Sequence, residues 1–219
     1  MPEEPTFQLD ATKSLTYRVV AGIIAVGSRL LFRPSVTGAE NIPMNGPVLI
    51  APIHRSNVDF TFTLFMSHRK VFFMAKDSLF RIPMIGSLLR HLGAFPVRRG
   101  AADRESMALA EAVLRRGHAL VLFPEGTRKE GRNVAPLHDG AMFVAARTGA
   151  MVVPVGIGGS DRAMPKGARL PRPARVRIVV GRPISPPVSE GRVSRSAVTA
   201  KSEELRRELE SLYRESLEG

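Results

Sequence analysis

The 219-residue chain has no cysteine and no tryptophan, and only two tyrosines. Without cysteine there are no disulfides, no thiolate-held zinc or iron–sulfur cluster, and no acyl-cysteine intermediate. The shortage of large aromatic rings leaves few stacking platforms for bases and argues against nucleic acid as a partner. Acidic residues are also in short supply, 20 against 32 Lys plus Arg, so the net charge is +12. Twenty-six of those cations are Arg. Such a balance favours anionic partners, above all phosphates, anionic lipid or an acidic protein. Residues 1–10 carry three acids rather than a basic start, which is unlike a secretory leader. No Gly-x-x-x-x-Gly-Lys, His-Glu-x-x-His or Gly-x-Ser-x-Gly motif occurs, so the usual kinase, zinc-protease and serine-hydrolase signatures are missing.

The early apolar run from Val19 to Ser28 is bounded by Arg18 and Arg29. Ten residues fall short of the ~20 that cross a bilayer core. At helical spacing Arg18, Arg29 and Arg33 share one side, while Val19, Ile23, Val26, Leu30 and their neighbours take the other. This predicts an amphipathic helix over 13–32 that either lies in a membrane interface or packs its greasy face on the domain.

Further along, apolar runs at 47–53, 71–74, 94–97, 119–123, 151–157 and 174–180 read as strands. Helical patterns occupy 83–91, 103–116, 139–148 and 194–217, with Asp103 and Gly117 as expected stops of the second. The alternation predicts an α/β fold with a mixed, largely parallel sheet flanked by helices. The expected organisation is a membrane-associating helix over 1–35 and an α/β domain over 36–219. Loops near 158–173 and 182–191 are rich in Gly, Pro and Arg, and Arg162 to Arg182 holds seven cations with no acid. That segment is either a solvated loop or a docking surface for anionic headgroups or an acidic carrier protein.

His54-Arg55-Ser56-Asn57-Val58-Asp59 follows the first strong strand. A His at a strand end projects into the crevice where α/β proteins bind ligands. Asp59 lies about one turn beyond, close enough to hold one ring nitrogen and leave the other as a base. Five His and six Asp in the chain give roughly 0.14 chance matches to this spacing, so the pair alone is weak. Phe123-Pro124-Glu125-Gly126-Thr127-Arg128 also follows a strand directly. Here Gly126 permits close backbone approach, Arg128 offers a fork for phosphate, and Glu125 is expected to accept a hydrogen bond from a substrate hydroxyl. Gly93 to Arg99 is a short strand ending in two Arg, and Val153-Pro154-Val155 is an apolar strand interrupted by a proline, which by itself indicates an edge or a bulge. Gly156-Ile157-Gly158-Gly159 is a weak fragment of a nucleotide fingerprint.

Taken in order, these four blocks resemble the glycerolipid acyltransferase family, most closely its bacterial 1-acylglycerol-3-phosphate acyltransferases. The likeness spans about residues 45–160, with Lys76 to Gly86 resembling the family's linking segment. Pro96 stands where members usually carry an apolar or aromatic residue, which bears on the local strand shape.

The resemblance implies a fatty acyl transfer from a thioester, acyl-CoA or acyl carrier protein, to the free hydroxyl of 1-acylglycerol 3-phosphate, giving phosphatidic acid for phospholipid synthesis. His54 would be the base and Asp59 its orienting carboxylate. Lys76, Arg99, Glu125, Gly126, Thr127 and Arg128 would bind the acceptor's phosphate and glycerol, and Val153, Pro154 and Val155 would border the acyl groove. No metal or cofactor is implied beyond the thioester co-substrate, and no covalent acyl-enzyme; Ser56 lacks an evident frame as a nucleophile. The expected location is the cytoplasmic face of the membrane, peripheral or monotopic, on an anionic surface. Glycerol 3-phosphate or another lysophospholipid is the alternative acceptor. A basic lipid-binding module and a thioesterase are the rivals of another class.

Overall fold

The apolar runs assemble into one seven-stranded sheet, and the amphipathic stretches cover it. The computed structural model describes residues 13–97, 104–187 and 193–218. In chain order the elements are α1 (Leu15–Phe32), β1 (Ser35–Thr37), β2 (Val48–Pro52), α2 (Thr63–Met66), β3 (Val71–Lys76), α3 (Asp77–Phe80) and α4 (Pro83–His91). They continue with β4 (Ala94–Val97), α5 (Arg104–Arg115), β5 (Ala119–Val121), α6 (Gly140–Thr148) and β6 (Met151–Gly158). The last are α7 (Ser160–Ala163), β7 (Arg177–Val180) and α8 (Arg195–Leu217). The sheet order is β1-β7-β6-β2-β5-β3-β4. Only the β6–β7 pairing is antiparallel among the described strands. The mixed, largely parallel sheet expected from the sequence is therefore what forms. The expected cap at Asp103 lies outside the described residues.

Helices on both faces bury the central strands. Val48, Leu49 and Ile50 of β2 and all three residues of β5 have no exposed surface, which is why these strands read as continuous apolar runs. Gly156 and Gly158 of β6 have a packing role. A Cβ at either would collide with the backbone of α8, at Leu212 and Ser216 respectively. They let the C-terminal helix lie directly on the sheet, and this explains the glycine cluster without a nucleotide.

Pro154 sits inside a central strand, not at an edge. Its carbonyl accepts from the Gly181 N–H, and the regular β6–β7 register begins only at Val155. The missing N–H thus falls where the ladder already lapses, between Gly181 and Ile184, so no pairing is lost. Pro96 is placed on β4, which pairs with β3 alone, an edge position that accommodates proline.

Helix α1 packs one side on the domain and leaves the other side apolar and exposed. Tyr17, Ser28 and Phe32 are buried against the domain, with the Phe32 and Phe62 rings edge-to-face at 5.6 Å. Leu15, Val19, Ile23, Val26 and Leu30 stand more than half exposed. By length and composition the whole helix is able to cross a membrane, a property that the ten-residue run between its arginines does not predict. Its C-terminal end is tied to the basic loop after α7, where Ala174 and Val176 N–H groups donate to the carbonyls of Leu31 and Phe32.

Burial raises the phenol pKa of both Tyr17 and Tyr213 above the ordinary 10.0, in Tyr213 against a smaller opposing effect of Arg55. A raised folded value favours the protonated form in the fold. The stabilisation is complete below about pH 10 and is lost as pH rises through the folded values. The melting temperature of the wild type should therefore fall more steeply above pH 10 than that of a Tyr17→Phe/Tyr213→Phe variant.

Candidate active site

The parallel register between β2 and β5 builds the site. Ile50 is opposite Val121, so His54 and Glu125, each four residues further on, leave the sheet side by side. The His54 N–H donates to Glu125 Oε1 at 3.2 Å. The two motif loops are joined again where the Lys129 N–H donates to the His54 carbonyl at 2.9 Å. Two segments 70 residues apart in sequence thus meet at the carboxyl ends of adjacent strands, the usual ligand-binding edge of such sheets.

The His54 ring is held on two sides. Its Nδ1 lies 2.9 Å from Asp59 Oδ2, and its face stacks on Phe123 with centroids 4.1 Å apart. Asp59 is fully buried, and the same Oδ2 accepts the backbone N–H groups of Arg55 and Ser56 at 2.7 and 2.8 Å. A carboxylate only accepts, so Nδ1 carries the hydrogen and Nε2 presents its lone pair. The side chain is 12% exposed and forms part of the wall of a cleft of about 1960 Å³. An imidazole fixed in this tautomer, with Nε2 open to a cleft, is able to take a proton from a bound hydroxyl.

Glu125 departs from expectation. It has no exposed surface, and its oxygens are occupied within the protein. Oε1 accepts from the His54 N–H and from Arg55 Nη1, the latter at 2.7 Å, and Oε2 accepts from the Ala135 N–H. Its expected contact with a substrate hydroxyl is thus replaced by a bracing role. Arg55, which the sequence did not single out, is its partner. The guanidinium also donates to the carbonyls of His54 and Asn133 and lies 4.9 Å from the centroid of the Tyr213 ring. A buried cation within a motif already read as His-x4-Asp has no sequence signal beyond its position.

Lys76, Gly126, Thr127 and Arg128 all line the cleft that contains His54. Arg128 Nη1 is buried and has no hydrogen-bond partner in the protein, on a side chain that lines the cleft. Gly126 has φ +70°, and a Cβ there would meet the ring of His138. His138 is a second cleft-lining imidazole, absent from the sequence expectation because no motif spacing marks it. Arg99 lies outside the described residues. Ser56 is fully buried, and its Oγ donates to the Met164 carbonyl at 2.9 Å, so it is engaged in holding the loop.

Val153, Pro154 and Val155 do not border the cleft. They are buried in β6, with Val153 and Val155 wholly enclosed. In a central strand covered on both faces, alternate side chains all enter core rather than a groove. The apolar wall of the cleft comes from Phe60, Phe73, Leu79, Ile85 and Phe123 instead.

An acyltransferase family model matches residues 33–158, which include both motif loops and the strands that carry them. Among similar proteins is the chloroplastic 1-acyl-sn-glycerol-3-phosphate acyltransferase BAT2 of Brassica napus, 29% identical over 70% of this chain and 45% of its own length. The chain thus spans about half the length of such plastid relatives. The 1-acyl-sn-glycerol-3-phosphate acyltransferase of Bacillus subtilis is 27% identical over 90% of this chain and 96% of its own. In three dimensions the chain resembles the crystal structure of the 1-acyl-sn-glycerophosphate acyltransferase of Thermotoga maritima, with a TM-score of 0.72 at 29% identity, covering 89% of this chain and 80% of that one. With its two motif loops joined at the carboxyl ends of β2 and β5, the chain belongs to the acyltransferase family.

Proposed function

We propose that the chain transfers a fatty acyl group from a thioester to the free hydroxyl of 1-acylglycerol 3-phosphate, yielding phosphatidic acid. The observation that carries this is the oriented His54–Asp59 pair on the wall of a cleft that also holds an unpartnered Arg128 donor and an apolar side. Base, anion site and greasy wall are the three things a phosphate-bearing lipid alcohol requires. The names of the relatives support the same acceptor.

In this reading His54 Nε2 takes the hydroxyl proton as the glycerol oxygen attacks the thioester carbonyl. The new C–O ester bond forms and the C–S bond breaks. The proton then passes from His54 to the departing thiolate. Asp59 supports the imidazolium in between. A thioester is already an activated acyl group, so no cofactor or metal enters the scheme. Acyl-CoA and acyl carrier protein share the reacting group, so the scheme is the same for either donor. Arg128 and Lys76 hold the acceptor phosphate, and Gly126 and Thr127 shape the glycerol site. Glu125 and Arg55 position His54 from behind.

The proposed place of action is the anionic cytoplasmic face of a membrane. Helix α1, which lies within the 1–35 segment, is packed on the domain through Tyr17 and Phe32 and has Arg29 5.8 Å from the centroid of the Phe65 ring. A helix attached in this way, with its other side apolar, is suited to lying in one leaflet rather than standing across two. The basic loop tied to its end adds about 1 kcal/mol of attraction per cation near an anionic surface.

Steady-state assays with the two substrates varied separately test the anion site. Arg128→Ala is expected to raise the acceptor KM by about ten- to hundred-fold, the worth of one charge-assisted phosphate contact, with the donor KM little changed. Equal rises for donor and acceptor would contradict the clamp.

A further inference from the structure

Among the described residues most large apolar side chains left exposed fall into two groups, with Met44, Phe143 and Leu170 standing apart from both. One is the outer face of α1. The other is Leu79, Ile82, Met84, Ile85 and Leu88, all within the α3–α4 hairpin. We infer that this hairpin is a second bilayer-contacting surface, which seats the cleft on anionic lipid. The inference rests on the proposed lipid acceptor for its purpose, and its test reads contact rather than turnover.

The exposure is built in. Helix α3 buries no residue and α4 buries only Gly86. That glycine is where the two helices brace each other. A Cβ there would meet the Phe80 backbone, with its Cα at 3.0 Å, and the Gly86 N–H donates to the Ile82 carbonyl at 2.7 Å. A hairpin fixed by a backbone contact holds its outer side chains in place without burying them. Met84 is 81% exposed, unusual for so large an apolar group and costly in water unless something covers it.

The inner side of the same hairpin lines the cleft through Leu79, Ile85 and Leu89. Leu79 and Ile85 both line the cleft and stand exposed, so apolar side chains of the hairpin lead from the cleft wall to the outside of the molecule.

Charge decides which occupant fits. Lys76, Arg81, Arg90 and His91 flank the patch, and its one acid, Asp77, is already paired with Arg81 at 3.2 Å. Arg90 folds over the Phe80 ring, 5.5 Å from its centroid. An apolar centre with a basic border matches an anionic headgroup layer. A second copy of the chain would bring like charges together and is disfavoured.

The absence of tryptophan makes a clean reporter available. In the full chain, Met84→Trp is the sole tryptophan, and Glu208→Trp on the exposed side of α8 is its control. With vesicles of equal phosphatidylglycerol and phosphatidylcholine, Met84→Trp emission should shift to the blue and be quenched by chain-brominated lipid, while Glu208→Trp should do neither. Ile82→Gln/Met84→Gln should lower vesicle partitioning about ten-fold, the effect of withdrawing two apolar side chains from an interface, with an unchanged melting temperature. Three results would overturn the inference: unshifted Met84→Trp emission on protein that co-sediments with the vesicles, failure of the wild type to bind vesicles, or a blue shift that grows with protein concentration in their absence. A protein that inserts this hairpin yet transfers no acyl group would leave the inference standing and remove the proposed reaction.

Discussion

Replacing His54 by alanine should lower acyl transfer by about 10²- to 10⁴-fold, the usual worth of a positioned general base, with little change in melting temperature. The ring projects into the cleft, so its removal opens no enclosed cavity. Asp59 loses one partner but keeps the N–H groups of Arg55 and Ser56 on the same oxygen. The loop should hold its shape at a cost of about 1 kcal/mol. Asp59→Asn offers a graded comparison. Its amide oxygen replaces Oδ2 for the three donors, yet it brings no charge to support the imidazolium. Its turnover should fall between those of wild type and His54→Ala.

The second large effect is expected at Glu125, and there stability and activity should fall together. Glu125 and Arg55 form a buried pair whose side chains are 0% and 1% exposed. Glu125→Gln leaves the guanidinium without its anion, and breaking a pair of this kind costs about 3–5 kcal/mol. The same carboxylate fixes the His54 backbone, so the base shifts as the pair fails. Chemical denaturation and turnover should both register the loss. If Glu125 instead touched the acceptor's hydroxyl, Glu125→Gln would raise the acceptor KM and leave the denaturation midpoint in place. Arg55→Met, of similar length but without charge, should destabilise in the same direction, since Glu125 is then the uncompensated ion.

These two residues also mark how far the sequence was legible. The His54–Asp59 spacing is local, and a strand end followed by one turn is enough to bring the ring and carboxylate together. Strand positions were likewise readable, because buried parallel strands are apolar along their whole length, as β2 and β5 are. The expected helix limits at Pro83 and His91 agree with α4. What could not be read depends on contacts between distant segments. The role of Glu125 follows from the Ile50–Val121 register, which no single motif encodes. His138 reaches the site only because the chain after Gly131 returns to place its N–H on the Pro124 carbonyl. Pro154 invited an edge or groove assignment, since its tolerance in a central strand depends on where β7 stops pairing. The groove expected at Val153 and Val155 is absent for the same kind of reason: both enter core because each face of β6 is covered.

Direct attack on the thioester by an alcohol that His54 activates is the step on which the proposed reaction turns. It is tested most directly by following thiol release from an acyl thioester, with and without 1-acylglycerol 3-phosphate, at enzyme concentrations high enough to see a single turnover. Release is expected only when the alcohol is present, matched one for one by phosphatidic acid, and lost in His54→Ala. Thiol released at the same rate without the alcohol, or in a burst equal to the enzyme present, would contradict it.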